Sequence, residues 1–156
     1  MSTAQPVTLV IDTNVVLDLF LYEDPATVPL RALLAEAPTR WLATAVMREE
    51  LRRVLLYPQV VKRMDARALS ADTILAAFDA RTQIVDSAPK APYTCKDGDD
   101  QKFIDLAVAH TAVLLSKDKA VLCMAKRLAR LGVAVHRQWL PATPENATPE
   151  TTETPA

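Results

Sequence analysis

The chain has 156 residues, of which half are hydrophobic and 24% are charged, and its net charge is -1. These values indicate one globular domain with a buried core and exclude a disordered or membrane-embedded chain. Residues 1–6 lack the basic and apolar segments of a signal peptide, and Cys95 and Cys123 lack the spacing of a metal site. We therefore expect a cytoplasmic protein with free thiols and no membrane segment.

Strand signals alternate with helical patterns along the chain. The strand signals are 8–12, 40–44, 83–86, 112–116 and 133–136, and the helical patterns are 27–37, 45–57, 60–66, 70–81, 99–110 and 118–131. This alternation predicts an α/β fold built from parallel βαβ units with right-handed crossovers. Because Gly98 and Gly132 are the only glycines, a glycine-rich loop that cradles phosphate is excluded.

Residues 141–156 differ in composition from the rest of the chain. They contain Glu145, Glu150 and Glu153, no basic residue and almost no large apolar side chain. Such a segment cannot bury enough apolar surface to fold by itself. We therefore divide the chain into a folded domain, residues 1–140, and a disordered acidic tail rich in Pro, Thr and Glu, residues 141–156.

An acidic residue follows the first predicted strand directly. Asp12 comes after an apolar run that ends in Val10 and Ile11, and ligands of open α/β sheets bind outside the carboxyl ends of the strands. A carboxylate buried there is costly unless it is hydrated, paired or bound to metal. The alternative interpretation is that Asp12 is the N-cap of the following helix.

The predicted helix 45–57 carries two adjacent acids. Glu50 shares a helical face with the apolar residues Val46, Met47 and Val54. Glu49 lies beside Arg52 in an exposed charge pattern. Acidic side chains are almost never fully buried unless they are paired. Glu50 is therefore the better candidate for a site.

The densest acidic run of the chain is 97–100. We expect Asp99 to cap the following helix and Asp100 to fall on the apolar face of that helix. Asp118 follows the fourth predicted strand as Asp12 follows the first. Each of these acids alone is also explained by helix capping or by attraction to a helix N-terminus.

Strand ends and the starts of the following helices gather at one edge of a parallel sheet. Four acids are therefore expected to converge there, namely Asp12, Glu50, Asp100 and Asp118. Ligand sets that contain only oxygen suit hard cations such as Mg²⁺ or Mn²⁺.

Basic residues concentrate in two segments. The first contains Arg48, Arg52, Arg53, Lys62, Arg63 and Arg67, and the second contains Lys117, Lys119, Lys126, Arg127 and Arg130. They form either solvated helix faces or a surface for the phosphate backbone of a nucleic acid.

Four motifs in this order resemble those of PIN-domain nucleases. They are Ile11-Asp12-Thr13-Asn14-Val15, the run Glu-Leu-Arg-Arg-Val-Leu that begins at Glu50, Asp97-Gly-Asp-Asp-Gln-Lys-Phe-Ile-Asp-Leu-Ala107, and Leu114-Leu-Ser-Lys-Asp118-Lys. The resemblance extends from Val7 to about Val135. The third motif is similar to the branch of the family that contains the toxins of toxin–antitoxin pairs (VapC-like). The last motif departs from the usual Thr-Gly-Asp and reads Ser116-Lys117-Asp118.

The resemblance implies a three-layer α/β/α fold and a metal-dependent endoribonuclease that hydrolyses RNA phosphodiester bonds, as the toxin of such a pair. The catalytic and metal-binding acids of the family map to Asp12, Glu50, Asp100 and Asp118, with Mg²⁺ or Mn²⁺ as the cofactor. Glu49 and Asp99 remain alternatives to their neighbours. Hydrogen bonds to water or phosphate are assigned to Thr13, Asn14 and Ser116, and contacts with the RNA backbone to Arg48, Arg52, Lys117 and Lys119.

The implied partners are an RNA substrate, a cognate antitoxin that blocks the acidic cleft and a second copy of the chain. The apolar stretches 15–21 and 73–78 are candidates for a dimer surface. The alternative function is a non-catalytic PIN-like protein that binds RNA or a protein partner without cleavage. A phosphatase that works through a covalent aspartate is disfavoured, because it needs a second Asp where Asn14 stands.

Overall fold

A computed structural model describes residues 6–140 of the chain. Within them lie five strands: β1 Val7–Ile11, β2 Thr39–Ala43, β3 Thr82–Ile84, β4 Val113–Leu115 and β5 Val135–His136. They form one parallel sheet in the order β3-β2-β1-β4-β5. The predicted α/β class and parallel sheet are thereby confirmed. The predicted tail, residues 141–156, lies outside the described part, so the domain division at residue 140 stays a prediction.

Helices flank the sheet and complete three layers, α/β/α, as predicted. They are α1 Thr13–Leu17, α2 Val28–Glu36, α3 Ala45–Val54, α4 Pro58–Ala66, α5 Ala71–Arg81, α6 Gln101–His110, α7 Lys119–Leu122 and α8 Ala125–Ala129. A π-helical turn, Asp18–Tyr22, continues α1, and short 3₁₀ turns precede α2 and α6. Between residues 6 and 140, no helix is long and apolar enough to cross a membrane.

The core lies on both faces of the two central strands. Leu9, Val10 and Leu114 are completely buried, as expected for strands that helices cover on both sides. On one face the ring of Trp41 stacks on Phe20 and meets Phe78 edge-on, with centroids 5.9 and 5.5 Å apart. These aromatic contacts fix the position of β2 against the helices.

The predicted helix 118–131 is wrong as one element. The chain forms α7 and α8 instead, with a tight turn at Cys123 and Met124 between them. The amide of Met124 donates to the carbonyl of Val121, three residues back, at 2.9 Å. Such bonds tighten the last turn of a helix, and the sequence carries no Gly or Pro to announce the break.

The two stretches suggested as dimer surfaces are mostly part of the core. Leu17, Leu19 and Leu21 in the first stretch are buried, as are Ile74 and Phe78 in the second. Their apolar side chains therefore already pack within the chain, and formation of a homodimer stays a prediction.

The strand order reverses between β1 and β4. From β1 the chain continues to β2 and β3 on one side of the sheet, whereas β4 and β5 lie on the other side. Ile11 is level with Leu115, and the amide of Asp12 donates to the carbonyl of Leu115 at 2.9 Å. The residues that follow the two strands therefore lie side by side, at the position where open α/β sheets bind their ligands.

Candidate metal centre

Asp12 caps a helix and also lies beside other acids of the candidate site. Its carboxylate is the N-cap of α1 and accepts from the amide of Asn14 at 3.4 Å. Its other oxygen accepts from the hydroxyl of Ser116 at 2.6 Å. Only 3% of the residue is exposed, and this burial raises its pKa, assisted by the charges of Glu50 and Asp118 and opposed by the two hydrogen bonds.

Ser116 connects the ends of the two central strands. Its completely buried hydroxyl donates to Asp12 and accepts from the amide of Asp118 at 3.1 Å. Asp118 in turn caps α7 by accepting from the amide of Ala120 at 2.8 Å. The backbone and hydroxyl bonds thus hold both carboxylates at the same edge of the sheet.

Three carboxylates form the densest part of the site. One oxygen each from Asp97, Asp100 and Asp118 lie within 4.8 Å of one another. Like charges at this distance repel in the absence of a cation. The neighbouring Asp12 adds to this repulsion, since its charge raises the pKa of Asp100.

Asp100 is the acid of the cluster whose surroundings most strongly favour a bound cation. The residue is 7% exposed, and its Oδ2 is the buried side-chain oxygen or nitrogen that has no hydrogen-bond partner within residues 6–140. Burial first, then the charge of Asp12 and contact with Asp118, raise its pKa to about 7. A buried, unpartnered carboxylate oxygen among other carboxylates suits a hard divalent cation.

The acidic run 97–100 is arranged differently from the expectation. Asp97, not Asp99, caps the 3₁₀ turn before α6, and its carboxylate accepts from the amide of Asp99 at 3.0 Å. Asp99 is exposed and its carboxylate is not part of the three-acid group. The sequence did not indicate Asp97 as a site residue. Asp is nevertheless typical of an Asx turn, in which the side chain accepts from the backbone amide two residues on.

Glu50 lies at the rim of the cluster. Its two oxygens accept from the hydroxyl of Thr13 at 2.9 Å and form an ion pair with Lys102. Glu49 is exposed and pairs with Arg52 on its own helix at 2.6 Å. Of the two adjacent acids, Glu50 is therefore the one that faces the site.

The face of α3 that carries Glu50 is less apolar than expected. Val46, which shares this face in the sequence pattern, is 52% exposed, whereas Met47 and Leu51 form the buried stripe of the helix. Glu50 thus lies at the border of the buried stripe. This position explains why its carboxylate reaches both Thr13 in the interior and Lys102 near the surface.

Three of the four cations expected to contact an RNA backbone already form ion pairs. Arg48 binds Asp79 on α5 at 2.7 Å, and Arg52 binds its neighbour on α3. Lys117, which stands next to Asp118, pairs with Asp18 at 2.6 Å. The lysine that departs from the family motif therefore points to Asp18, an acid that the sequence analysis did not single out although it interrupts an apolar stretch.

Thr13 and Asn14, which were expected to bond to water or phosphate, differ in their burial. Thr13 is buried against Glu50, and Asn14 is exposed at the start of α1.

The predicted free thiols are confirmed: Cys95 is buried, Cys123 is exposed, and neither forms a disulfide.

The comparison with known families agrees with this site. A family model described as PIN domain matches residues 8–120, which include β1 from its second residue, β2 to β4 and all the carboxylates described above. No curated protein matches the chain at a significant level. Because the match covers most of the chain, the protein belongs to the PIN domain family, whose members are in general divalent-metal-dependent nucleases.

Proposed function

We propose that the protein is a metal-dependent endoribonuclease that hydrolyses RNA phosphodiester bonds, and that it acts as the toxin of a toxin–antitoxin pair. The main support is the acidic cluster at the point where the strand order reverses, with the buried, unpartnered oxygen of Asp100 inside it. Ligand crevices of parallel sheets lie at this point. Helix capping accounts for Asp12, Asp97 and Asp118 but not for the side chain of Asp100, and the like charges of the cluster destabilise the metal-free fold.

Asp97, Asp100 and Asp118 would hold Mg²⁺ or Mn²⁺, with Asp12 beside them. When bound, the cation lowers the pKa of water and offsets the negative charge that develops on the scissile phosphate. Ser116 fixes the carboxylate of Asp12 through its hydroxyl.

Glu50 has a different role in this proposal. Thr13 holds one of its oxygens, while the other faces Lys102 at the rim. A carboxylate fixed in this way is suited to orient an attacking water. Lys102, so close to the acids, is suited to contact a phosphate oxygen of the substrate.

The proposal is tested by cleavage of labelled RNA in Mn²⁺, in Mg²⁺ and in EDTA. We expect fragments only with a divalent ion, and we expect Asp100→Asn to abolish them. Asp65→Asn is the control for the loss of one charge, because Asp65 is exposed on α4 and its carboxylate lies outside the cluster. The same oligonucleotide made of DNA measures the selectivity for RNA.

Two outcomes contradict the proposal. RNA retention without cleavage in every metal supports the alternative of a non-catalytic binding protein. Equal cleavage by the wild type and Asp100→Asn removes the acidic cluster as the source of the activity.

The toxin role and the partners need a separate experiment. Expression of the wild type in bacteria should arrest growth, expression of Asp100→Asn should not, and co-expression of an antitoxin encoded beside the gene should restore growth. Size-exclusion chromatography with light scattering on the purified chain determines whether it is a homodimer. Normal growth during expression of an RNA-cleaving wild type would argue against the toxin role alone.

A further inference from the structure

Tyr57 is an aromatic side chain held at the surface close to the acidic site. It follows α3 and directly precedes Pro58, the first residue of α4, and the residue is 49% exposed. Its amide donates to the carbonyl of Val54 at 3.0 Å, and its carbonyl accepts from the amide of Val60 at 2.9 Å. Backbone bonds on both sides therefore fix the position from which the ring projects.

Tyr57 lines two grooves. One groove of about 360 Å³ is lined by Glu50, Arg53, Asp99 and Lys102 together with Tyr57. This volume is in the range of sites that bind small molecules or single groups of larger ligands. Because Glu50 lines it, the groove begins at the rim of the acidic cluster.

The second groove has about 310 Å³ and is lined by Asn14, Asp18 and Lys117 as well as Tyr57. The amide of Asn14 donates to the carboxylate of Asp12 at 3.4 Å, so this groove adjoins the acidic site. Both grooves thus include Tyr57 and a residue in contact with the site.

Arg53 is the groove cation best suited to a phosphate backbone, because acids that line the same grooves pair with the two lysines. Arg53 and Lys102 line one groove and Lys117 lines the other. Among residues 6–140, Arg53 forms no ion pair, whereas the two lysines pair with Glu50 and Asp18. A cation next to an exposed aromatic ring is the combination with which proteins bind single-stranded nucleic acid.

A shared groove connects Tyr57 to the site. Glu50, which lies at the rim of the acidic cluster, and Tyr57 both line this groove. A base stacked on Tyr57 would therefore belong to the strand that enters the site.

We propose that Tyr57 is a stacking platform for an unpaired nucleobase of the substrate, with Arg53 and Lys102 beside the adjoining phosphates. This inference rests on the proposed nuclease function and adds a preference for single-stranded RNA, because the bases of a duplex hide their faces from a side chain. The adjacent Leu56 is more exposed, at 62%, but lines neither groove. It therefore provides a matched control for the loss of an exposed apolar side chain.

The test compares Tyr57→Ala, Tyr57→Phe and Leu56→Ala in Mn²⁺ on a single-stranded RNA. Loss of base stacking predicts that Tyr57→Ala raises KM about 5- to 100-fold, with a much smaller change in kcat. Tyr57→Phe keeps the aromatic face and should recover most of the affinity. Leu56→Ala should retain the KM of the wild type.

A second set of substrates makes the test specific for stacking. In each RNA one nucleotide lacks its base, and the position of this nucleotide moves along the strand. For the wild type, removal of the base at one position should raise KM as much as Tyr57→Ala does. For Tyr57→Ala the same base removal should add almost nothing, since the platform is already absent.

The proposal is overturned if Tyr57→Ala has the KM of Leu56→Ala, or if base removal and Tyr57→Ala raise KM independently at every position. A wild-type KM combined with a changed oligomeric state in Tyr57→Ala would assign the ring to a protein interface instead. Failure of the nuclease function is recognised separately, because the wild type then cleaves no RNA in any metal and the stacking proposal falls with it.

Discussion

The hydroxyl of Ser116 donates to Oδ2 of Asp12 at 2.6 Å, although 104 residues separate the two along the chain. Both side chains are buried, at the ends of the two central strands. The same hydroxyl accepts from the amide of Asp118. One serine therefore connects two acids of the cluster and compensates part of the cost of burying Asp12.

Ser116→Ala is expected to destabilise the fold by about 1–3 kcal/mol, because it leaves the Asp12 carboxylate and the Asp118 amide without a partner. Urea denaturation of the metal-free protein measures this loss. In an Asp12→Asn background the same substitution should cost less, since the buried charge is already gone. An equal cost in both backgrounds would show that the Ser116 hydroxyl does not act through Asp12.

Asp100 makes the stability of the metal-free protein depend on pH. Its pKa is raised to about 7 in the folded state, against about 3.9 in an unfolded chain. Between about pH 4 and pH 7 the folded protein thus binds more protons than the unfolded chain, so stability falls as the pH rises through this window. Above it, the whole penalty of the ionised carboxylate is present.

We therefore expect Tm in EDTA to decrease from pH 5 to pH 8 in the wild type and to decrease less in Asp100→Asn. At pH 8 the variant should be more stable by about 1–3 kcal/mol, or several degrees in Tm. At pH 5 the two proteins should be close. A variant that is less stable than the wild type at pH 8 without metal would contradict the buried, unpartnered carboxylate.

Asp97 is expected to contribute to cation binding although sequence analysis did not assign it. Asn caps helices as well as Asp does, so Asp97→Asn should keep the turn before α6 and remove only the charge. We predict that Asp97→Asn weakens Mn²⁺ binding about 10-fold or more, as the loss of one anionic ligand does. Asp99→Asn has the same change of charge outside the cluster and should bind Mn²⁺ as the wild type does. Isothermal titration calorimetry compares the two variants, and equal affinities would remove Asp97 from the site.

The centre of the sheet was predictable because β1 and β4 are short apolar runs, each followed within three residues by an acid. Val10 and Ile11 before Asp12 define both a strand and its carboxyl end. The convergence of Asp100 and Asp118 followed from the general geometry of parallel sheets. The choice of Glu50 over Glu49 followed from helical periodicity, which places them on different faces.

Other features depend on contacts between distant parts of the chain. The pair between Lys117 and Asp18 joins residues 99 positions apart, and no local pattern indicates it. The break at Cys123 and Met124 has no local signal in the sequence, since both residues are compatible with a helix. The prediction assigned the cap to Asp99, whereas Asp97 caps the turn before α6. All the acids in 97–100 are equally good N-caps by residue type, so only the path of the backbone decides among them.

Lys117 gives the last prediction, because it stands where the family motif usually has a glycine. Its ammonium pairs with Asp18, whose side chain is 11% exposed. Lys117→Met should leave this carboxylate buried without a partner and destabilise the fold by about 1–3 kcal/mol. Because the ammonium faces Asp18 and not the cluster, the affinity for Mn²⁺ should remain that of the wild type. The double variant Lys117→Met/Asp18→Asn should recover much of the lost stability, as measured by urea denaturation. A clear gain in Mn²⁺ affinity for Lys117→Met would mean instead that the lysine competes with the cation for the acids of the site.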